Sequence, residues 1–141
     1  MSEARYRQSV VKGLRKLRMD PVSVENGLTH PGTPDINWLH GWIELKVIPK
    51  WPVRPETVVR CSTFTPQQRI WLRRRWNANG SAYLLARIGR NHLLFNGADA
   101  ADYFGEVRRE ILEDVAEMNV THLDYKLLLQ HLLVTKYVQR R

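Results

Sequence analysis

Two short apolar runs on either side of a turn place the strongest constraint on how this chain can fold. The runs are residues 35–39 and 42–47, and His40-Gly41 lies between them. Apolar runs of this length around a glycine-containing turn predict two antiparallel strands joined as a β-hairpin. The sequence therefore predicts a β-sheet that contains this hairpin.

Three charged residues, Asp35, Glu44 and Lys46, lie within these otherwise apolar strands. Asp35 and Glu44 fall on opposite arms, and paired arms bring facing side chains to within about 5 Å. Glu44 and Lys46 are two residues apart on one strand and so share a face, whereas Leu45 points to the other face. One interpretation is an exposed cross-strand ion pair worth less than about 1 kcal/mol. The other is a site where two carboxylates and an ammonium meet around a divalent cation.

Residues 2–19 predict an amphipathic helix at the start of the chain. Its apolar residues recur at spacings of three and four: Tyr6, Val10, Leu14 and Leu17. Ser2 is suited to the N-cap position, and Asp20-Pro21 ends the helix.

The segments around the hairpin are predicted as a short strand or loop before it and a loop after it. Gly27 and Pro31-Gly32 mark turns on the N-terminal side. On the C-terminal side, Pro49, Pro52 and Pro55 exclude a central strand, because proline cannot donate the main-chain hydrogen bond that a sheet requires.

A second helix is predicted from Thr65 onward. Thr65 is a good N-cap, Pro66 suits the first helical position, and Gln68 completes a capping box with Thr65. Asn79-Gly80 provides the C-terminal stop.

The rest of the chain is predicted to form two strands followed by helices. The strands are residues 81–89 and 92–97, and residues 99–118 are predicted as one helix. Thr121 opens the last helix. The apolar surface of that helix consists of Leu127, Leu128, Leu132 and Val134.

The order of these elements indicates an α/β protein: a single small domain with a central mixed β-sheet flanked by helices. Residues 1–90 carry the motifs and form its core. Residues 91–141 are expected to add the last strand and a C-terminal helical extension to the same domain.

The charge is strongly basic and unevenly distributed. The formal net charge is +8 over 141 residues. Residues 1–90 carry +10 (16 Lys and Arg against 6 Asp and Glu), and residues 91–141 carry −2 (6 against 8). A basic region of this kind suits a polyanion such as nucleic acid, although charge alone does not distinguish it from an acidic membrane surface.

Other features of the sequence concern the cellular compartment. Cys61 is the single cysteine, which fits a reducing environment. No apolar run approaches the roughly 20 residues that span a bilayer, and no secretion signal is recognised. We expect a soluble protein of the cytoplasm, or of the host cytoplasm if a phage encodes it.

Three short motifs together resemble the PD-(D/E)XK nuclease superfamily. They are GTPD at residues 32–35, WIELK at residues 42–46 and TPQQ at residues 65–68, ahead of the second helix. The resemblance extends over residues 3–88 and is closest to the VRR-NUC branch, which is related to phage and archaeal Holliday-junction resolvases. It implies a restriction-endonuclease-like fold and hydrolysis of phosphodiester bonds.

The resemblance also implies roles for individual residues. Asp35 and Glu44 would ligate Mg²⁺, or Mn²⁺ in its place, with the Leu45 carbonyl as a further ligand. Lys46 would position the hydrolytic water or support the transition state. Glu3 matches an acid that the first helix of family members often adds to the metal site.

Gln68 has two interpretations. It matches a glutamine that follows the lysine strand in the VRR-NUC branch, which implies a role in the site. Its place three residues after Thr65 is also what a capping box requires. The two roles are compatible.

Basic residues near the motifs are candidates for binding nucleic acid. They are Lys12, Lys50, Arg60, Arg69, Arg73 and Arg74. The alternative is a solvated helix face beside an aromatic stripe, with Trp71 and Trp76 mainly in the core.

The leading hypothesis is a divalent-metal-dependent DNA endonuclease, with branched DNA such as Holliday junctions as a candidate substrate. A non-catalytic nucleic-acid-binding protein on a nuclease fold is one alternative. A virion structural protein that assembles through the leucine-rich last helix is another. That helix can also support a homodimer. Neither an organic cofactor nor a membrane partner is expected.

Overall fold

The computed structural model describes residues 1–24 and 30–139, with side chains of the last helix described as far as residue 133. The helices are α1 (Glu3–Lys16), α2 (Pro66–Asn77), α3 (Gly97–Tyr103), α4 (Arg109–Val115) and α5 (Tyr125–Gln139). The strands are β1 (Val22–Ser23), β2 (Ile36–Trp38), β3 (Gly41–Ile48), β4 (Ser81–Ile88), β5 (Asn91–Asn96) and β6 (Met118–Val120).

The strands form one mixed sheet in the order β1-β2-β3-β4-β5-β6. All neighbours are antiparallel except β3 and β4, which run parallel. The connection between these two strands consists of a loop and α2, since parallel neighbours need a crossover. The predicted α/β fold with a central mixed sheet is therefore confirmed.

Helices cover both faces of the sheet. On one face, α1 and α5 pack against inward-pointing residues such as Ile43 and Leu45 of β3. On the other face, α2, α3 and α4 pack against Leu84 and Phe95 of the central strands. The alternation of side chains along β3 thus sends Leu45 to one layer and its neighbours Glu44 and Lys46 to the other.

Several local predictions are confirmed. Ser2 caps α1 by accepting a hydrogen bond from the Arg5 amide. Thr65 and Gln68 form the capping box of α2. The two arms of the hairpin pair as β2 and β3, with Trp38 opposite Gly41. The proline-containing segment 49–65 connects β3 to α2 outside the sheet.

The prediction of one helix over residues 99–118 is wrong. The structure has two seven-residue helices, α3 and α4, separated at Gly105, whose φ of +84° is in the left-handed region. This conformation favours glycine and breaks the helix. Met118 belongs to β6, a strand that the sequence did not predict, and pairs with Leu94 of β5.

The last helix starts later than predicted. It begins at Tyr125, because the Asp124 carboxylate accepts a hydrogen bond from the Lys126 amide. Leu128 and Leu132 are buried in the core as expected. The predicted turn at Gly27 and the side chain of Val134 lie outside the described residues.

None of the helices within the described ranges has both the length and the apolar character needed to cross a bilayer.

Candidate functional site

The candidate site lies where β3 continues past the first residue of β2, Ile36. The two strands pair from Gly41 to Ile43 on β3, and among residues 1–24 and 30–139 no strand pairs with the following residues on that side. Asp35 immediately precedes β2, and its Oδ2 accepts a hydrogen bond of 2.9 Å from the Leu45 amide. This bond fixes one carboxylate against the free edge of β3.

Glu44 and Lys46 supply a second carboxylate and an ammonium from β3 itself. Both are almost fully buried, at 2% exposure. Lys46 Nζ lies 3.4 Å from Glu44 Oε1. The expected convergence of Asp35, Glu44 and Lys46 at one point is thus present, and these residues are not an exposed ion pair on a hairpin surface.

Thr63 connects Lys46 to the N-terminus of α1. Its carbonyl accepts a hydrogen bond of 2.8 Å from Lys46 Nζ. Its hydroxyl donates a longer bond of 3.4 Å to Glu3 Oε1. Glu3 therefore joins the site at its margin, through Thr63. Thr63 was not among the predicted site residues, since its bond to Lys46 comes from a main-chain carbonyl that any residue could supply.

Gln68 forms the predicted capping box and also contacts Glu44. Its Oε1 accepts a hydrogen bond of 2.9 Å from the Thr65 amide, which closes the capping box. Its Nε2 donates a bond of 3.2 Å to Glu44 Oε1. The start of α2 is thereby tied to the carboxylate on β3.

Burial dominates the electrostatics of Glu44. It raises the pKa of this carboxyl well above its usual range, and the neighbouring Asp35 raises it further through its charge and a hydrogen bond. Lys46 acts in the opposite direction. Glu44 Oε1 accepts a hydrogen bond from Gln68 and forms the ion pair with Lys46, whereas Oε2 is buried with no hydrogen-bond partner in the described part of the chain. A buried carboxylate oxygen of this kind needs a compensating charge when ionised.

The donor set fits a hard divalent cation. The Leu45 amide points toward Asp35, and in an extended strand the carbonyl of the same residue points to the same side. The Leu45 carbonyl, the Asp35 carboxylate and Glu44 Oε2 therefore offer three oxygens. Within residues 1–24 and 30–139, no cluster of three or more His, Cys, Asp or Glu side chains could hold a metal. Two carboxylates with water and phosphate oxygens suit Mg²⁺ better than a cation that needs an all-protein cage.

Two of the arginines expected to bind nucleic acid have partners within the protein. Arg69 donates a hydrogen bond to the Ala101 carbonyl, lies 3.2 Å from Glu106 and stacks over Phe64. Arg73 forms an ion pair of 2.6 Å with Asp102.

The other four basic candidates are exposed. Lys50 and Arg60 lie on the loop between β3 and α2, Arg74 lies on α2, and Lys12 lies on α1. No ion pair involves any of them in the part of the chain that the structure describes. These four side chains are available to phosphate groups.

The sequence matches no protein-family model and no curated protein. The resemblance to PD-(D/E)XK nucleases therefore rests on the three sequence motifs alone.

Proposed function

We propose that this protein is a divalent-metal-dependent DNA endonuclease. The observation that carries the proposal is the meeting of Asp35, Glu44 and Lys46 beside β3, where the buried Glu44 Oε2 has no hydrogen bond to any described residue. A bound Mg²⁺ or Mn²⁺ would satisfy that oxygen and offset the charge of both carboxylates.

Each residue of the site has a distinct role in this proposal. Asp35 and Glu44 bind the cation, together with the Leu45 carbonyl. The cation supplies Lewis-acid chemistry at the scissile phosphate and lowers the pKa of water. Lys46 directs its ammonium toward the attacking water or the phosphate oxygens, where positive charge stabilises the transition state. Gln68 holds Glu44 Oε1, which leaves Oε2 for the cation.

The basic residues around the site provide the proposed contacts with DNA. Lys50, Arg60 and Arg74 lie on the segments that begin or end at site residues, and Lys12 adds a charge on α1. Each phosphate contact releases condensed counterions, so binding is expected to weaken steeply with salt.

Branched DNA, including Holliday junctions, is the proposed substrate class, and a homodimer through α5 would suit an enzyme that cuts two strands. The proposed compartment is the cytoplasm, either of the encoding cell or of a phage host. The family resemblance supports the substrate class, the leucine-rich last helix supports the homodimer, and the single cysteine supports the compartment. Each is open to direct measurement.

The test is a cleavage assay with Mg²⁺ or Mn²⁺ on linear, nicked, flapped and four-way DNA. Asp35→Asn keeps an oxygen that can accept from the Leu45 amide, and Lys46→Ala removes the ammonium. Both variants should abolish cutting while DNA binding persists. Asp114→Asn is the matched control, because this exposed carboxylate lies on α4, outside the site.

The outcomes separate the hypotheses. Cleavage that survives Asp35→Asn refutes the site. Tight, salt-dependent DNA binding without cleavage in any metal favours a non-catalytic nucleic-acid-binding protein. A stable large assembly that is indifferent to DNA, seen by light scattering, favours a virion structural role.

A further inference from the structure

A small depression opens on the protein surface beside the N-terminal half of α2. Its volume is about 190 Å³. The residues that line it are His30, Pro31, Gln67, Ile70, Trp71 and Arg74. This is smaller than the pockets of roughly 300–1,000 Å³ that hold drug-sized ligands, so it suits a single planar ring system.

The depression adjoins the candidate metal site through two chain segments. Gly32 follows the lining residue Pro31, and Asp35 lies three residues further on. A Cβ atom on Gly32 would lie 2.4 Å from the Gln67 carbonyl oxygen, so the two segments are in close contact. Gln67 in turn precedes Gln68, which bonds to Glu44. The depression and the candidate site are thus built from neighbouring residues of the same two segments.

The lining combines apolar and polar groups. Ile70 is 59% exposed, although it lies on a helix whose other face packs on the sheet. Trp71 is 5% exposed and forms a fixed wall. Gln67 and Arg74 lie on the same stripe of α2 as Ile70, because they are three residues before it and four after it. They add an amide and a guanidinium at the rim.

Arg74 differs from the neighbouring arginines of α2. Arg69 and Arg73 are paired with Glu106 and Asp102, and Arg75 stacks on Trp71 at 4.5 Å. Arg74 is exposed, and no ion pair engages it in the described part of the chain. Its guanidinium can therefore donate hydrogen bonds to acceptor atoms of a ligand in this depression.

We propose that this depression binds an unpaired nucleobase of DNA next to the scissile phosphate. An apolar surface beside amide and guanidinium donors is the chemistry by which proteins hold bases that have left the stack. A duplex cannot enter a concavity of this size, and the wall of Ile70 and Trp71 offers a flat base an apolar surface that a phosphate would not use. The inference rests on the proposed nuclease function and names its substrate class: DNA with an unpaired base at the cleavage position.

The test measures binding without cleavage, using the full chain in EDTA. Two labelled DNA duplexes of the same sequence are compared, one fully paired and one with a single bulged 2-aminopurine. Fluorescence anisotropy gives both dissociation constants, and 2-aminopurine emission reports the surroundings of the unpaired base. We expect binding of the bulged DNA to be about tenfold tighter, since stacking and contacts on one base give effects of this order.

Ile70→Ala is the decisive variant, because its side chain is exposed and its loss leaves the core intact. We expect it to remove most of the preference for bulged DNA, with affinity for paired DNA unchanged. Gln67→Ala should reduce the preference in part. Val22→Ala is the matched control, since Val22 is a β-branched residue of similar exposure, 53%, on the edge strand β1. It should leave the preference unchanged.

Equal affinity for the two DNAs overturns the inference, and so does a preference that persists in Ile70→Ala. The two proposals can fail independently. If added metal produces no cleavage but the Ile70-dependent preference is present, the nuclease function is wrong and the base-binding depression stands. Metal-dependent cleavage without a preference for bulged DNA would support the nuclease function and contradict the base-binding depression.

Discussion

Gln68 donates a hydrogen bond of 3.2 Å to the buried carboxylate of Glu44, and this contact ties the first turn of α2 to the central strand β3. The same side chain caps the helix through Thr65. The helix start and the proposed metal ligand are therefore positioned by one residue.

We expect Gln68→Ala to lower metal affinity and cleavage about 10- to 100-fold, as losses of groups that orient metal ligands do. The matched control is Thr65→Ala, which removes the cap without a direct contact to Glu44 and should cost about 1 kcal/mol of stability. Calorimetric titration with Mn²⁺ and thermal unfolding distinguish the two. Equal metal affinity in both variants would show that Gln68 acts only as a cap.

The buried Glu44 should make the stability of the metal-free protein depend on pH. Burial raises the pKa of this carboxyl, so between its ordinary value and the raised value the folded state binds more protons than the unfolded state. The free energy of unfolding should then fall as the pH rises through this window.

Glu44→Gln should remove that dependence and stabilise the metal-free protein at neutral pH. Urea unfolding in EDTA at a series of pH values measures the effect. Glu56→Gln, at an exposed carboxylate, is the control. A Glu44→Gln variant with the slope of the unsubstituted protein would contradict the raised pKa.

Substitution of Arg69 should lower the stability of the protein, whereas substitution of Arg60 should affect only DNA binding. Arg69→Ala loses a hydrogen bond to Ala101 and a stacking contact with Phe64, which predicts a destabilisation of about 1–2 kcal/mol. Arg60→Ala should leave stability unchanged and reduce the slope of log affinity against log salt by about 1 if it contacts a phosphate. Unfolding curves and DNA titrations at several salt concentrations test both. A lower salt slope in Arg69→Ala would reassign that residue to the DNA interface.

Gly13 allows close packing between α1 and α5. A Cβ atom there would lie 2.4 Å from the ring of Tyr125. Helix propensity alone predicts that Gly13→Ala stabilises α1 by about 1 kcal/mol. We expect the clash to prevail and the protein to lose about 1–3 kcal/mol instead.

Thermal unfolding measures the effect of Gly13→Ala. Combining it with Tyr125→Ala should relieve the clash, so that adding Gly13→Ala to Tyr125→Ala costs less than adding it to the unsubstituted protein. Ser9→Ala, at an exposed residue one turn earlier on the same stripe of α1, is the control. A stabilised Gly13→Ala variant would show that the ring moves aside at little cost.

The local features of the fold could be predicted from the sequence because their causes are local. The hairpin follows from two apolar runs and a turn, and the caps at Ser2 and Thr65 follow from side chains that bond to amides three residues away. The convergence of Asp35 with Glu44 and Lys46 also follows from the hairpin, since strand pairing fixes which residues meet.

The features that the sequence did not predict depend on contacts between distant segments. β6 exists because Met118 pairs with Leu94, and no local pattern indicates that pairing. The bond from Lys46 to the Thr63 carbonyl joins residues 17 apart. Because a main-chain carbonyl accepts it, the residue type at position 63 does not indicate the bond. The basic residues of α2 are evident in the sequence, but the ion pair of Arg73 is not, because its partner Asp102 lies on another helix, α3.

The bond between Asp35 and the Leu45 amide has a consequence for the sheet itself. Just before the first residue of β2, the Asp35 carboxylate occupies the place that a main-chain carbonyl would take if the strand were longer. A single side chain thus satisfies the Leu45 amide, a donor of β3 beyond its pairing with β2, and makes this stretch less available for pairing with another chain. Apolar replacements at this position should therefore promote aggregation, and asparagine should not.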